Sequence, residues 1–418
     1  MHFFQTKKNK LYAEEIPVER IAHEVGTPVY IYSYATLKRH FSVFNEAFAS
    51  LPHLLCFSMK CNSNLAILKA ISHQGGGADI VSGGELYRAL QAGMDPQKIV
   101  YSGVGKTEAE IAQALQAGIL LFNVESEEEL ELINRVAGGF NKKAPISLRV
   151  NPNIDPKTHP YISTGMKKSK FGMDVKKSLQ IYQKAKKLPH LQVKGLDCHI
   201  GSQLTQVRPF IDALKKLKIL IQKLRKMGIE IQYLDLGGGL GIRYKDETPP
   251  SVQMYAKAIL EEVKNLNVTL IFEPGRVIMG NAGILLTRVL YHKKNPSKEF
   301  MVVDAAMNDL IRPAFYGSFH EIAPISSRKG KKRKIDIVGP ICESGDFFAQ
   351  NRLFPPAKTG DILSIFSAGA YGFAMSSNYN SRPRAAEVLV NGDQYHVIRE
   401  RETLEDLVRG EKIPDFLK

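Results

Sequence analysis

Leu54-Leu55-Cys56-Phe57-Ser58-Met59-Lys60-Cys61-Asn62, followed by Asn64-Leu65-Ala66-Ile67-Leu68-Lys69-Ala70, is the unit from which the fold can be read. The apolar run has the length and continuity of a strand buried on both faces, and the segment after it has helical periodicity. A lysine closes the strand. A lysine held there is partly desolvated, which disfavours its ammonium form and leaves an amine able to form a Schiff base. The competing explanation is an ordinary solvated strand end.

The same unit recurs. Apolar, β-rich runs lie at Leu54–Ser58, Ala78–Ser82, Ile99–Ser102, Leu120–Val124, Ile146–Val150, Val193–Ile200, Tyr233–Leu236 and Thr269–Phe272. Helical segments separate them. Gly84–Leu90 is stopped by Gly93, and Glu108–Ala117 by Gly118. Another opens on a Ser126-x-x-Glu129 capping box, a long basic one ends near Gly228, and a further one covers Val252–Leu266. Strands each followed by a helix imply a parallel sheet, and this many units in so short a span fit a closed TIM-type (β/α)8 barrel. No G-x-G-x-x-G follows an early strand, which argues against a dinucleotide fold. Gly75-Gly76-Gly77 has no charged companion and reads as a flexible turn.

Beyond residue 282 the pattern changes to strand-like alternation, at Leu285–Tyr291, Phe300–Val303, Ile335–Val338, Ile362–Ile365 and Val388–Val390. The expected fold is therefore α/β plus all-β. A barrel covers 36–281, and a β-sandwich or β-barrel domain is made from 1–35 and 282–418, with Val29–Tyr32 as a strand of the latter.

The 418 residues carry a formal charge of +15. Much of it lies in Lys215–Lys218, Lys223–Lys226 and Arg328–Lys334, read as solvated faces, because no zinc finger, helix-turn-helix or aromatic-interleaved motif accompanies it. Nucleic acid is therefore not an expected partner, while a positive field favours a small anionic substrate. No apolar run approaches the roughly 18 residues that a membrane-spanning helix needs. The N-terminus lacks a signal-like core, so no membrane and a cytoplasmic location are expected. Cys56, Cys61, Cys198 and Cys342 have no metal-ligand spacing, and no metal is expected.

Chemistry in a barrel sits at the carboxyl ends of its strands. There the chain places Lys60, Asp79, Arg149, His199 with Ser202, Gly237-Gly238-Gly239, and Glu273-Pro274-Gly275-Arg276. Successive backbone N–H groups in a glycine run form an anion-binding concavity, and Arg276 adds a cationic fork beside it. A lysine together with a phosphate site points to pyridoxal phosphate. Glu273 is the candidate partner for its ring nitrogen, and His199 a flat ring able to stack on it.

With these residues assembled, the chain resembles the fold-type III pyridoxal-phosphate decarboxylases. The resemblance rests on His159-Pro160-Tyr161-Ile162-Ser163-Thr164-Gly165 with Lys170-Phe171-Gly172, and on His199-Ile200-Gly201-Ser202-Gln203, Leu234–Gly239 and Glu273–Arg276. In the β domain it rests on Asp304–Pro313, Cys342-Glu343-Ser344 and Gly369-Ala370-Tyr371-Gly372. It is closest to the branch acting on meso-diaminopimelate, and so implies decarboxylation of that substrate to L-lysine and CO2. It also implies the roles. Lys60 carries the cofactor as a Schiff base, His199 stacks on it and Glu273 pairs with its nitrogen. Asp79, Ser202, Gly237, Gly238, Gly239, Pro274, Gly275, Arg276 and Tyr371 bind the cofactor. Arg276, Arg312, Tyr316, Glu343 and Tyr371 bind substrate, and Cys342 is the proton donor. It implies a homodimer with shared sites, the Cys342-Glu343 segment reaching into the neighbouring subunit. The lysine segment departs from the family's usual Tyr-Ala-x-Lys-Ala-Asn at Phe57, Ser58 and Cys61. The alternatives are a sister enzyme for ornithine, arginine or a carboxylated polyamine, a racemase on the same barrel, and a non-catalytic cofactor carrier.

Overall fold

The computed structural model describes residues 2–155, 158–162, 164–165, 169–326 and 328–417. Ser163 of the quoted His159–Gly165 block therefore lies outside the described residues. The chain separates into two compact units, residues 38–278 and residues 1–37 with 279–418.

The first unit is a closed barrel of eight parallel strands. These are His53–Ser58, Gly77–Ile80, Ile99–Tyr101, Leu121–Val124, Ala144–Asn151, Leu191–Asp197, Tyr233–Asp235 and Thr269–Phe272. Each pairs with the next in sequence, and the eighth closes on the first through Leu270↔His53, Ile271↔Leu54 and Phe272↔Leu55. All eight expected strands are present, with ends within a few residues of the sequence reading. A helix follows every strand, the last being the short Arg276–Met279. The outer helices bury one apolar stripe each. In Arg208–Lys226 the stripe is Leu214, Leu217, Leu220, Ile221 and Leu224, which leaves the lysines on the solvent side. Phe48 and Phe272 stack helix Tyr34–Ala47 on the eighth strand, with ring centroids 4.1 Å apart.

The structure corrects two local readings. Ser126 does cap its helix by accepting from the Glu129 N–H, but Glu129 does not return the bond to Ser126. Its carboxylate is held instead by the buried Lys106 Nζ at 2.7 Å and by the Glu125 N–H. The reciprocal box forms at Thr107 and Glu110, where the sequence reading did not look for it. Nor is Gly75–Gly77 a flexible turn throughout: Gly75 alone turns, with φ of +81°. Gly77 lies in the second strand, where a Cβ would fall 1.9 Å from the Lys98 carbonyl oxygen, and a Cβ on Gly76 would meet Ile71 and Phe41. These glycines permit close packing of strands and helices.

The second unit is all-β apart from short helices. A three-stranded sheet is formed by Phe4–Lys7, Lys10–Ala13 and Ile16–Pro17, with helix Val18–Glu24 after it. In the larger sheet Val29–Ser33 pairs antiparallel with Gly283–Lys294 and parallel with Ala386–Asn391, so the N-terminal segment belongs to this unit's core. Val29, Ile31, Ile284, Leu286, Val388 and Val390 pack in one apolar cluster with residues of the small sheet. The strand Phe347–Phe354 was not foreseen, because its middle is polar.

Replacing Gly77 with alanine is expected to lower stability by about 1–3 kcal/mol through overpacking. Gly139→Ala, in open space at a helix end, is expected to be neutral or stabilising by up to about 0.5 kcal/mol. Denaturant unfolding of the two variants beside the parent checks both.

Candidate active site

Lys60 follows the first strand in a single turn, Met59–Cys61, closed by the Asn62 N–H on the Met59 carbonyl. Its Nζ lies 2.5 Å from Asp79 Oδ2, an oxygen that also accepts from Ser58 Oγ at 2.8 Å. The side chain is 37% exposed and that of Asp79 fully buried. The lysine is partly buried, and burial is not its defining feature. The ion pair with a carboxylate from the neighbouring strand is. Asp79 Oδ1 has no hydrogen-bond partner among the described residues. Glu85, near the start of helix Gly83–Gln91, accepts the Val81 N–H. Burial pushes its carboxyl up to about 7, against the pull of Lys60.

The glycine run after the seventh strand is shaped by contacts no side chain would allow. Gly237 and Gly239 have φ of +63° and +111°. A Cβ on Gly238 would lie 2.2 Å from the Glu273 carbonyl oxygen, and one on Gly239 2.4 Å from that of Gly201. The Gly238 N–H donates to His199 Nδ1 at 3.1 Å, which leaves the ring proton on Nε2. Burial, then the charges of Arg149 and Lys60, hold this imidazole well below its ordinary range, so it is neutral. Beside the run, Arg276 donates from Nε and an Nη to Ser202 Oγ, at 3.3 and 3.0 Å, and from the other Nη to the Tyr244 hydroxyl at 2.8 Å. Tyr244 was not foreseen: it lies in the loop after the glycine run, outside any recognisable pattern.

Beneath this rim the barrel interior is polar. Asp197, Asp235 and Glu273 each bring one oxygen within 4.8 Å of the others. Burial first, then neighbouring carboxylates, pushes Asp197 and Glu273 well above the usual carboxylate range, and Asp235 up to about 8. Arg149 pairs with Glu125 at 2.5 Å and lies 3.8 Å from Asp197. Asn123 and Ser102 donate to Glu273 Oε1 at 3.4 and 3.2 Å. Of these, Asn123, Ser102, Asp197 and Asp235 were missed, being single polar residues within or at the end of apolar strands.

The β unit gathers its own blocks. Arg312 opens the short helix Arg312–Tyr316, is buried, and donates to Ser318 Oγ at 3.3 Å. Tyr316 and Tyr371 are half-buried, the latter with φ of +58°. Cys342 and Glu343 are exposed. Asp346 ties the Cys342 block to the Arg312 block by accepting the Ile341 and Met307 N–H groups. Asn380 accepts the Cys342 N–H at 2.9 Å.

An amine, a buried carboxylate, a neutral imidazole and a glycine–arginine–hydroxyl cradle on one barrel rim fit the aldehyde, ring nitrogen, ring face and phosphate of pyridoxal phosphate, and so the class of enzymes that use it. The comparisons agree. The family model described as pyridoxal-dependent decarboxylase, pyridoxal binding domain, matches residues 34–280. A diaminopimelate decarboxylase of Pseudomonas aeruginosa is 52% identical over 413 residues, covering 99% of each chain. The crystal structure of diaminopimelate decarboxylase from Helicobacter pylori complexed with L-lysine has a TM-score of 0.91 at 45% identity, over 94% of this chain and 98% of that one. That of M. jannaschii in co-complex with L-lysine reaches 0.95 at 39%, over 99% of each. This chain belongs to the diaminopimelate decarboxylase family, and its cofactor is pyridoxal phosphate. Among the described residues, no helix is long and apolar enough to cross a membrane.

Glu85 carries a pH signature. An acid whose folded-state value is raised keeps its proton while the unfolded chain loses it, so stability falls as pH rises from about 4.5 to about 7. In the cofactor-free protein, Glu85→Gln is expected to fall less steeply over that window, as read by denaturant unfolding at each pH.

Proposed function

We propose that the protein decarboxylates meso-2,6-diaminopimelate to L-lysine and CO2, the last step of lysine biosynthesis, in the cytoplasm. The observation that carries this reading is the rim on which Lys60, His199, Glu273 and the Ser202–Arg276 pair converge, in a chain of this family. Bound at Lys60, pyridoxal phosphate supplies an electron sink for the pair left when CO2 departs.

The remaining work falls to the protein's own side chains. Lys60, paired with Asp79, would hold the cofactor and release it to the substrate amine. Glu273 would pair with the ring nitrogen and favour its protonated form. His199, neutral and fixed through Nδ1, presents a flat face to the ring. Ser202, Gly237, Gly238, Gly239, Pro274, Gly275, Arg276 and Tyr371 position the phosphate end, and Tyr244 braces Arg276.

Arg276, Arg312, Tyr316, Glu343 and Tyr371 bind the substrate, mainly at its distal amino-acid centre. Cationic side chains on the distal carboxylate fix the molecule without stabilising the carboxylate that must leave, which favours the transition state over the bound substrate. Cys342 delivers the proton to Cα. It is the one exposed thiol of the four, whereas burial pushes the thiols of Cys56, Cys61 and Cys198 up. The active unit is a homodimer in which the Cys342-Glu343 segment serves the neighbouring subunit's site. Its exposure in the single chain supports that assignment.

CO2 release from meso-diaminopimelate, ornithine, arginine and lysine, each with added cofactor, tests the assignment. Turnover is expected with the first alone, and turnover of ornithine without diaminopimelate would overturn it. Lys60→Ala is expected to abolish turnover and the visible absorbance of the bound cofactor. A mixture of Lys60→Ala and Cys342→Ala subunits is expected to regain activity that neither shows separately. Failure to complement after verified subunit exchange would exclude shared sites.

A further inference from the structure

The barrel interior holds one side chain that the chemistry above leaves unused and that is bound on every side. Asn123 sits in the fourth strand and is fully buried. Its backbone register places it opposite Ser147 in the fifth strand. Its amide oxygen accepts from Ser147 Oγ at 2.5 Å. Its amide nitrogen is within 3.2 Å of Asp235 Oδ2, 3.4 Å of Glu273 Oε1 and 3.1 Å of Ser102 Oγ. Ser102 in turn donates to the same Glu273 oxygen at 3.2 Å. The orientation of the amide is fixed by chemistry, because the reverse would aim its oxygen at two carboxylates. The strand itself is pinned by Lys106 Nζ, which donates to the Asn123 carbonyl at 2.8 Å.

We propose that Asn123 is a positioning residue: its amide, clamped by Ser147, aligns Glu273 and favours its charged form once the ring nitrogen of the cofactor stands beside it, and separates it from Asp235. The inference rests on the function proposed above. Its physical basis is that hydrogen bonds donated to a carboxylate favour the charged form, whereas a second carboxylate nearby favours the protonated one. Asn123 does both jobs at once. One N–H occupies the second carboxylate, Asp235, and the other is shared between Glu273 Oε1 and Ser102 Oγ, which passes its own proton on to the same Glu273 oxygen. Without it, Glu273 would take up the proton, and the ring nitrogen would become a neutral pyridine, a weaker electron sink.

The test uses the holoenzyme of Asn123→Leu, which keeps the number and branching of side-chain heavy atoms and removes both donors, and of Ser147→Ala, which frees the clamp and leaves the amide in place. The readout is the nitrogen resonance of ring-labelled cofactor bound to the enzyme. In Asn123→Leu it is expected to move from the protonated towards the unprotonated position, and in Ser147→Ala to move the same way by less. In step with it, kcat for diaminopimelate is expected to fall about tenfold, with KM within about twofold, since one pK unit of altered protonation is a factor of ten. A merely structural role would lower the melting temperature or cofactor occupancy and leave that resonance in place. An unmoved resonance in Asn123→Leu overturns the proposal, or in Ser147→Ala should the leucine variant not fold. Failure of the parent enzyme to release CO2 would instead overturn the assigned reaction, whatever the resonance shows.

Discussion

The structure is governed by the burial of four carboxylates inside one barrel. Asp79, Asp197, Asp235 and Glu273 come from four different strand ends, and none is more than 5% exposed. An ionised carboxylate without a partner is not tolerated in such a place, so each must keep a proton, find a cation or collect donors. All three solutions occur. Asp79 takes Lys60 and Ser58. Asp197 lies by Arg149, itself committed to Glu125. Asp235 accepts the Gly237 and Asn123 N–H groups and is still pushed up to about 8. Glu273 has neutral donors alone, Ser102 and Asn123, and burial raises it well above the carboxylate range. Glu273 therefore ionises in full when a cation arrives beside it. Among the described residues no cation forms an ion pair with Glu273, and the charges of Lys60 and Arg149 offset its burial only in part, which on the proposed reading leaves a place for a protonated ring nitrogen.

That arrangement depends on backbone as much as on side chains. Gly238 lies against the Glu273 carbonyl and Gly237 against the His199 ring, while the Glu273 N–H donates to the Gly237 carbonyl. A side chain at either glycine would separate the seventh and eighth strand ends and pull the imidazole from its donor. The glycine run thus sets the tautomer of His199 and the depth of Glu273 together, besides leaving room for a phosphate group.

The elements were legible because each obeys a simple period. All eight barrel strands are apolar enough to read without ambiguity, and their order fixes the sheet. The polar rim was legible where residues cluster after a strand, as in Gly237–Gly239 and Glu273–Arg276. It was not legible where one polar side chain sits inside a strand, as with Asn123 and Ser147. There the sequence signal is a single letter, and its meaning arises from neighbours more than twenty residues away. The half-formed cap at Ser126 fails for a related reason. Glu129 had the right spacing for a local bond, but Lys106, buried and brought by another loop, is the stronger partner.

The division of the chain follows from the same physics. On the proposed reading, the barrel's buried carboxylates, lysine and cradle address the cofactor and the amine that every substrate of such enzymes shares. Of that set, Arg276 alone is also assigned to a second amino-acid centre. Discrimination on the proposed reading must come from charged groups with geometry of their own, and the β unit provides them. Arg312 is buried yet reaches Ser318, so its guanidinium is already ordered before substrate arrives. The Cys342–Glu343 block is exposed, but Asp346 fixes it to the Met307 turn and Asn380 holds its backbone. Ordering these groups in advance removes an entropic cost from binding, and a carboxylate–ammonium and guanidinium–carboxylate pair together reject a substrate that carries one of the two distal charges and lacks the other.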